Sequence, residues 1–145
     1  MATPKRKRTS KQVFLDSHDW IALLNAADEL HERADALWKK LGEQHYHVFV
    51  TDWIVAETGN GLARTRARSR FVRIMRALLQ DPRATMVRID DKLLVRALEL
   101  YDHRGDKEWG LVDCASIIVM ADHDIREAFT HDKLFKQAGF ECLLM

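Results

Sequence analysis

Val13-Phe14-Leu15-Asp16-Ser17-His18-Asp19-Trp20-Ile21-Ala22 is the stretch from which the fold is read. Three apolar residues run without polar alternation into Asp16, the pattern of a short strand covered on both faces. A carboxylate directly after such a strand loses its water unless something pairs with it. Asp19 then has the chemistry of a helix cap, and a helix is predicted from about Asp19 to Asn25. Strand, acid and helix follow one another within ten residues.

The same alternation continues downstream. Leu30, Ala34, Leu37, Trp38 and Leu41 share one helical face, which predicts a helix from Asp28 to Leu41 that stops at Gly42. His47 to Val50 is a second strand. Thr51 or Asp52 caps a helix that carries Glu57 in its second turn, and Gly59 and Gly61 inside it suit close helix packing. A helix over Ser69–Leu79 ends at Asp81-Pro82. Thr85–Arg88 is a third strand and Asp91–Tyr101 a helix. After a polar loop, His103–Lys107, comes an apolar helix over Leu111–Ala121 that holds Asp113. Ala128–Thr130 is a fourth strand leading to Asp132, Lys133–Ala138 a short helix, and Glu141–Leu144 a last strand. Short apolar strands alternating with longer helices predict an α/β fold with a central, mostly parallel sheet.

Length and composition set the frame. The 145 residues suffice for one domain, and 47% hydrophobic with 31% charged residues is the balance of a globular chain. No apolar run approaches the roughly 20 residues of a membrane helix. The basic start, Met1–Ser10, lacks the apolar core of a secretory signal. A cytoplasmic protein with no membrane partner is expected. Cys114 and Cys142 fit no zinc spacing and read as free thiols. The net charge of +1 conceals an asymmetry, because residues 1–11 hold five bases and no acid. Setting those aside leaves 18 bases against 22 acids, a body at −4. The expected organisation is a basic, flexible arm over 1–11 and a single domain over 12–145, the arm being solvated or gripping nucleic-acid phosphates.

Four acids fall at element ends, where sites form in open α/β sheets. Asp16 follows the first strand, Glu57 lies early in the helix after the second, Asp113 sits in the first turn of its helix, and Asp132 follows the fourth strand. If they converge, repulsion raises some of their pKa values unless a cation lies among them. Oxygen ligands of this kind suit Mg²⁺ or Mn²⁺, and such ions suit phosphodiester hydrolysis. An acid in a first helical turn also simply favours the helix dipole, the innocent reading of Asp113.

The segments around these acids resemble the PIN-domain family, above all its VapC-type toxin nucleases. Phe14-Leu15-Asp16-Ser17, Thr51-Asp52-Trp53-Ile54-Val55-Ala56-Glu57, Asp106 to Cys114, and Thr130-His131-Asp132-Lys133-Leu134-Phe135 carry the resemblance, in order, along nearly the whole chain. It implies a three-layer α/β/α sandwich and a Mg²⁺- or Mn²⁺-dependent endoribonuclease, with Asp16, Glu57, Asp113 and Asp132 as the catalytic and metal-binding acids. Ser17 matches the small hydroxyl residue that follows the first acid in this family. Asp106 is a secondary candidate for the metal site. An antitoxin protein and a homodimer are the partners it implies besides RNA. Gly110 and Val112 depart from the family, which often has Ser or Thr there. The departure at Val112 supports the alternative, a catalytically inactive RNA-binding module.

Six arginines lie between Arg64 and Arg76 without an acid among them. Arg66, Arg70 and Arg73 oppose the apolar face of their helix, as a solvated surface, an RNA phosphate track, or a docking face for an acidic partner. Trp109 is a packing anchor or a platform for base stacking. His18, His103 and His131 offer a metal-free acid–base alternative through the RNA 2′-hydroxyl.

Overall fold

The computed structural model describes residues 11–145, so the expectation for the basic arm falls almost wholly outside the described residues. Five strands form one sheet: β1 (Gln12–Leu15), β2 (His47–Thr51), β3 (Ala84–Val87), β4 (Glu127–Phe129) and β5 (Glu141–Cys142). Their order is β3-β2-β1-β4-β5, and all four pairings are parallel, where a mostly parallel sheet was expected. Helices α1 (Ser17–Leu24) and α2 (His31–Glu43) join β1 to β2, and α3 (Asp52–Leu62) and α4 (Arg68–Gln80) join β2 to β3. Helices α5 (Asp91–His103) and α6 (Leu111–Asp122) lead back to β4, and α7 (Lys133–Gln137) leads on to β5.

This order places the layers. Crossovers between parallel strands are right-handed. The chain moves one way across the sheet from β1 to β3, then the opposite way to β4 and β5. Helices α1–α4 therefore cover one face and α5–α7 the other. Side-chain contacts agree: Phe14 meets Phe135 of α7 and Phe49 meets His123 after α6, while Phe129 meets Trp38 of α2 edge-on. Val13, Phe14 and Leu15 in the central strand are fully buried. Each such side chain contributes roughly 1.5–3 kcal/mol on burial. The strand order reverses between β1 and β4, so a crevice opens at their carboxyl ends.

Several boundaries differ from expectation for local reasons. Helix α1 starts at Ser17, because Asp16 itself is the cap and accepts from the Ser17 amide. Asp19 is inside the helix and has another use. Helix α2 starts at His31, since Asp28 holds a turn by accepting from the Leu30 amide at 2.9 Å. It then runs through Gly42, and the left-handed residue that turns the chain is His45, at φ 61°. Thr51 caps α3 by accepting from Ile54. The glycines of α3 pack closely: a Cβ on Gly59 would lie 3.2 Å from the Phe71 ring of α4, and one on Gly61 would meet Ile21 of α1. Both cysteines are free. No helix among the described residues is long and apolar enough to cross a membrane.

Candidate active site

Asp16 and the segment Thr130-His131-Asp132 face each other across the β1/β4 crevice. The Asp16 carboxylate is 4% exposed. Its Oδ1 accepts from the Ser17 amide at 2.9 Å and its Oδ2 from the Thr130 hydroxyl at 2.8 Å. Thr130 in turn accepts from the Asp132 amide at 3.0 Å, and Asp132 caps α7 by accepting from Leu134. One hydroxyl thus ties the acid after β1 to the acid after β4.

Burial pushes the Asp16 carboxyl up to about 7. The Thr130 hydroxyl opposes that rise, Asp19 and Asp113 add repulsion, and His18 offsets part of it. Asp113 is also raised, first by burial and then by Asp132 and Glu57, while the Gly110 amide that donates to its Oδ2 at 2.8 Å pulls it down. Glu57 is exposed in the second turn of α3, and its Oε1 accepts from the Ser17 hydroxyl at 2.8 Å. All four acids named from the sequence therefore interact around one crevice, with Ser17 joining two of them.

The other candidates are placed differently. Asp106 is bound to Arg104 by two hydrogen bonds, at 2.9 and 3.0 Å, and the guanidinium holds its carboxyl down at about 2. Asp106, Lys107, Trp109 and Gln137 line a cleft of about 460 Å³ whose wall includes Asp113 and Asp132. Trp109 is 7% exposed, donates its indole N–H to Gln137 and has the Arg104 guanidinium 5.0 Å over its ring. It is a wall of the cleft with one face taken, not an open platform. Arg66 and Arg73 are exposed and Arg70 partly so, on or beside α4. Arg70 acts on Asp35 of α2. Among the described residues, the base that acts most on both Asp16 and Asp113 is His18.

Two residues to which the sequence reading gave no place in the candidate site support it. Thr130 bridges Asp16 and Asp132, and Asp19 binds His131. A hydroxyl at the end of β4 facing the acid after β1 was a usable signal only once these strands were known to be neighbours.

The donor set is suited to a hard cation. Among the described residues, no group of three or more His, Cys, Asp or Glu side chains is placed so that it could hold a metal ion as it stands. Yet a buried carboxyl raised to about 7, with further acids acting on it and on Asp113, is an arrangement that a divalent cation relieves. The available donors are carboxylates and hydroxyls, the ligands preferred by Mg²⁺ and Mn²⁺.

The PIN domain profile matches residues 13–141. The chain belongs to the PIN-domain family. It is 29% identical over 131 residues to the 23S rRNA-specific endonuclease VapC20 of Mycobacterium tuberculosis, covering 88% of this chain and 95% of that protein. The crystal structure of VapC20, described as a Sarcin-Ricin loop cleaving toxin, superimposes with a TM-score of 0.77 at 26% identity over 88% of this chain and 95% of that one. FitAcB from Neisseria gonorrhoeae (TM-score 0.63, 18% identity, covering 90% and 95%) shares the PIN fold. So does VapBC2 from Rickettsia felis, solved with a promoter DNA fragment (TM-score 0.61, 13% identity, covering 90% and 96%).

Proposed function

We propose that this PIN domain is a Mg²⁺- or Mn²⁺-dependent endoribonuclease and the toxin of a toxin–antitoxin pair. The observation that carries the reading is Asp16: a nearly buried carboxylate held by Ser17 and Thr130 at the switch point of the sheet, with Asp113 acting on it. Asp16, Glu57, Asp113 and Asp132 would hold the ion. A bound divalent ion supplies stabilisation of phosphate charge and a water of lowered pKa.

The protein's own groups do the rest. Ser17 and Thr130 keep Glu57 and Asp16 oriented, and burial keeps competing water off Asp16. The polar cleft beside Asp113 and Asp132 receives the strand, with Lys107 and Lys133 in its lining to meet phosphates. Arg66, Arg70 and Arg73 serve the flanking strand. In the reaction, a water oxygen bonds to phosphorus, the bond from phosphorus to the 3′-oxygen breaks, and that oxygen takes up a proton. The products are a 5′-phosphate and a 3′-hydroxyl. The similarity to VapC20 makes a structured ribosomal RNA loop the first substrate to try.

The test is cleavage of such a loop by purified protein, with Mg²⁺, with Mn²⁺ and with a chelator, beside the Asp16→Asn variant. Metal-dependent cleavage that the variant lacks is expected, with retained RNA binding. An Asp16→Asn protein that cleaves like its parent, or a 2′,3′-cyclic phosphate product, overturns the assignment. Binding without cleavage by the wild type points to the inactive RNA-binding module. Rescue of growth by a co-encoded small protein tests the toxin role.

A further inference from the structure

Gln137 closes the short helix α7 and is exposed, yet its side chain is held. Its Oε1 accepts from the indole N–H of Trp109 at 3.1 Å, across 28 positions of the chain. Trp109 is itself buried and carries the Arg104 guanidinium over its ring, and Arg104 is bound to Asp106 by two hydrogen bonds. This run of contacts fixes an amide that exposure alone would leave free to turn.

The indole contact also sets which end of the amide faces out. An indole N–H only donates, so the amide offers it the oxygen, and Nε2 with its two hydrogens points away from Trp109. Among the described residues, the Gln137 side chain has no other hydrogen bond. Gln137 lines the same cleft as Asp113 and Asp132, which puts these hydrogens beside the acids. Lys133, four residues earlier on α7 and next to Asp132, lines it too. Four residues advance a helix by about 6 Å, so a nucleotide whose phosphate meets Lys133 has its base within reach of Gln137.

The free end of Gln137 donates and does not accept, and this decides what it can read. Guanine at O6 and uracil at O4 carry a keto oxygen, which accepts. Adenine at N6 and cytosine at N4 carry an amino group, which donates. An amide N–H facing a keto oxygen makes a bond, whereas facing an amino group it leaves two donors opposed and unpaired. Unpaired RNA loops expose these edges.

We propose that Gln137 is a specificity-determining residue, oriented by Trp109, whose Nε2 donates to the exocyclic keto oxygen of an unpaired base in the cleft and so selects guanine or uracil over adenine or cytosine beside the cleaved bond. The inference rests on the ribonuclease reading and adds a base preference that the four acids do not supply.

The test uses an RNA loop that the wild type cleaves, remade with matched nucleotides at each position flanking the cleaved bond: inosine against adenosine, and uridine against cytidine. Each pair exchanges a keto oxygen for an amino group at the same place on the ring. Wild-type single-turnover cleavage is expected to be roughly tenfold faster with the keto member at one of these positions. A response in the inosine pair marks a purine in the cleft, and one in the uridine pair a pyrimidine. Gln137→Leu is expected to lose the preference. Gln137→Glu keeps an oxygen for Trp109 and presents an acceptor in place of the donors, so its preference should turn to the amino member, whatever its overall rate. Trp109→Phe releases the amide, and its preference should fall toward that of Gln137→Leu. The Gln137 variants, changed at an exposed position, supply the answer if Trp109→Phe does not fold. A wild type that cleaves both members of each pair equally, or the amino member faster, overturns the inference. So does a Gln137→Leu or Gln137→Glu protein that keeps the wild-type ratio. Either result leaves the ribonuclease standing. A wild type that cleaves no RNA overturns the functional reading and this inference with it.

Discussion

Thr130 donates its hydroxyl to Oδ2 of Asp16 across 2.8 Å, although 114 positions separate them in the chain. The bond is buried, and it joins the ends of two adjacent parallel strands. It holds Asp16 in place and lowers the cost of its charge, and the same oxygen accepts from the amide of Asp132.

Replacing Thr130 by Val keeps the shape and removes this hydroxyl. The Asp16 carboxyl then rises further above its ordinary range, and the Asp132 amide loses its acceptor. The variant is expected to lose roughly 1.5–3 kcal/mol of stability in urea unfolding, as for a buried hydrogen bond to a charged group. Its magnesium affinity, read by thermal shift, should fall as well. An unchanged unfolding midpoint would show that the bond contributes nothing.

The position of Asp16 predicts how the metal-free protein responds to pH. Its folded value of about 7 lies above the ordinary 3.8, so the fold favours the neutral carboxyl. That contribution is complete below about pH 4 and is lost as pH rises through 7. The change is at most on the order of 4 kcal/mol. In chelator, the wild-type Tm should therefore fall between pH 4 and 7.5 relative to that of Asp16→Asn. Magnesium at 100 times its Kd should return roughly 2.7 kcal/mol to the wild type at pH 7.5 and little to the variant. Parallel Tm curves for the two proteins, with or without metal, would remove Asp16 from the site.

Ser17→Ala tests the link between the first two acids. Ser17 donates to Glu57 at 2.8 Å, and Glu57 is otherwise exposed. Loss of one such bond, about 1 kcal/mol, should lower single-turnover cleavage roughly fivefold with little change in Tm. Full activity would mean that the ion or the RNA orients Glu57 unaided.

The arginines on and before α4 act on none of the charges described at Asp16 and Asp113, so their effect should appear in binding and not in chemistry. Arg66→Ala with Arg73→Ala is expected to leave kcat unchanged. For two lost contacts to a single strand, the slope of log K against log salt should drop by roughly 1.4. An unaltered slope would assign this surface to a protein partner.

Much of this protein was legible in its sequence because the signals are local. The run Val13-Phe14-Leu15, ending abruptly in Asp16, reads as a strand covered on both sides, and the helices that alternate with the strands declare a parallel sheet through their apolar periodicity. Asp16, Glu57, Asp113 and Asp132 stood out because each follows or opens such an element. Helix and strand ends were less legible. Asp16 and Asp19 are both good caps, and Gly42 is a plausible stop, so sequence alone had no means to choose among residues with the same local chemistry.

Only the tertiary structure decided what lies across the crevice. The sequence determined five strands, the helices between them and four acids at their ends, since these follow from periodicity and from what a buried strand permits. Strand order did not follow from it, and strand order puts β4 beside β1. That neighbourhood turns Thr130 into the support of Asp16 and Asp19 into the anchor of His131. Hydrogen bonds are directional and short, so a pairing across 112 or 114 positions exists only once the sheet has fixed its two ends within about 3 Å.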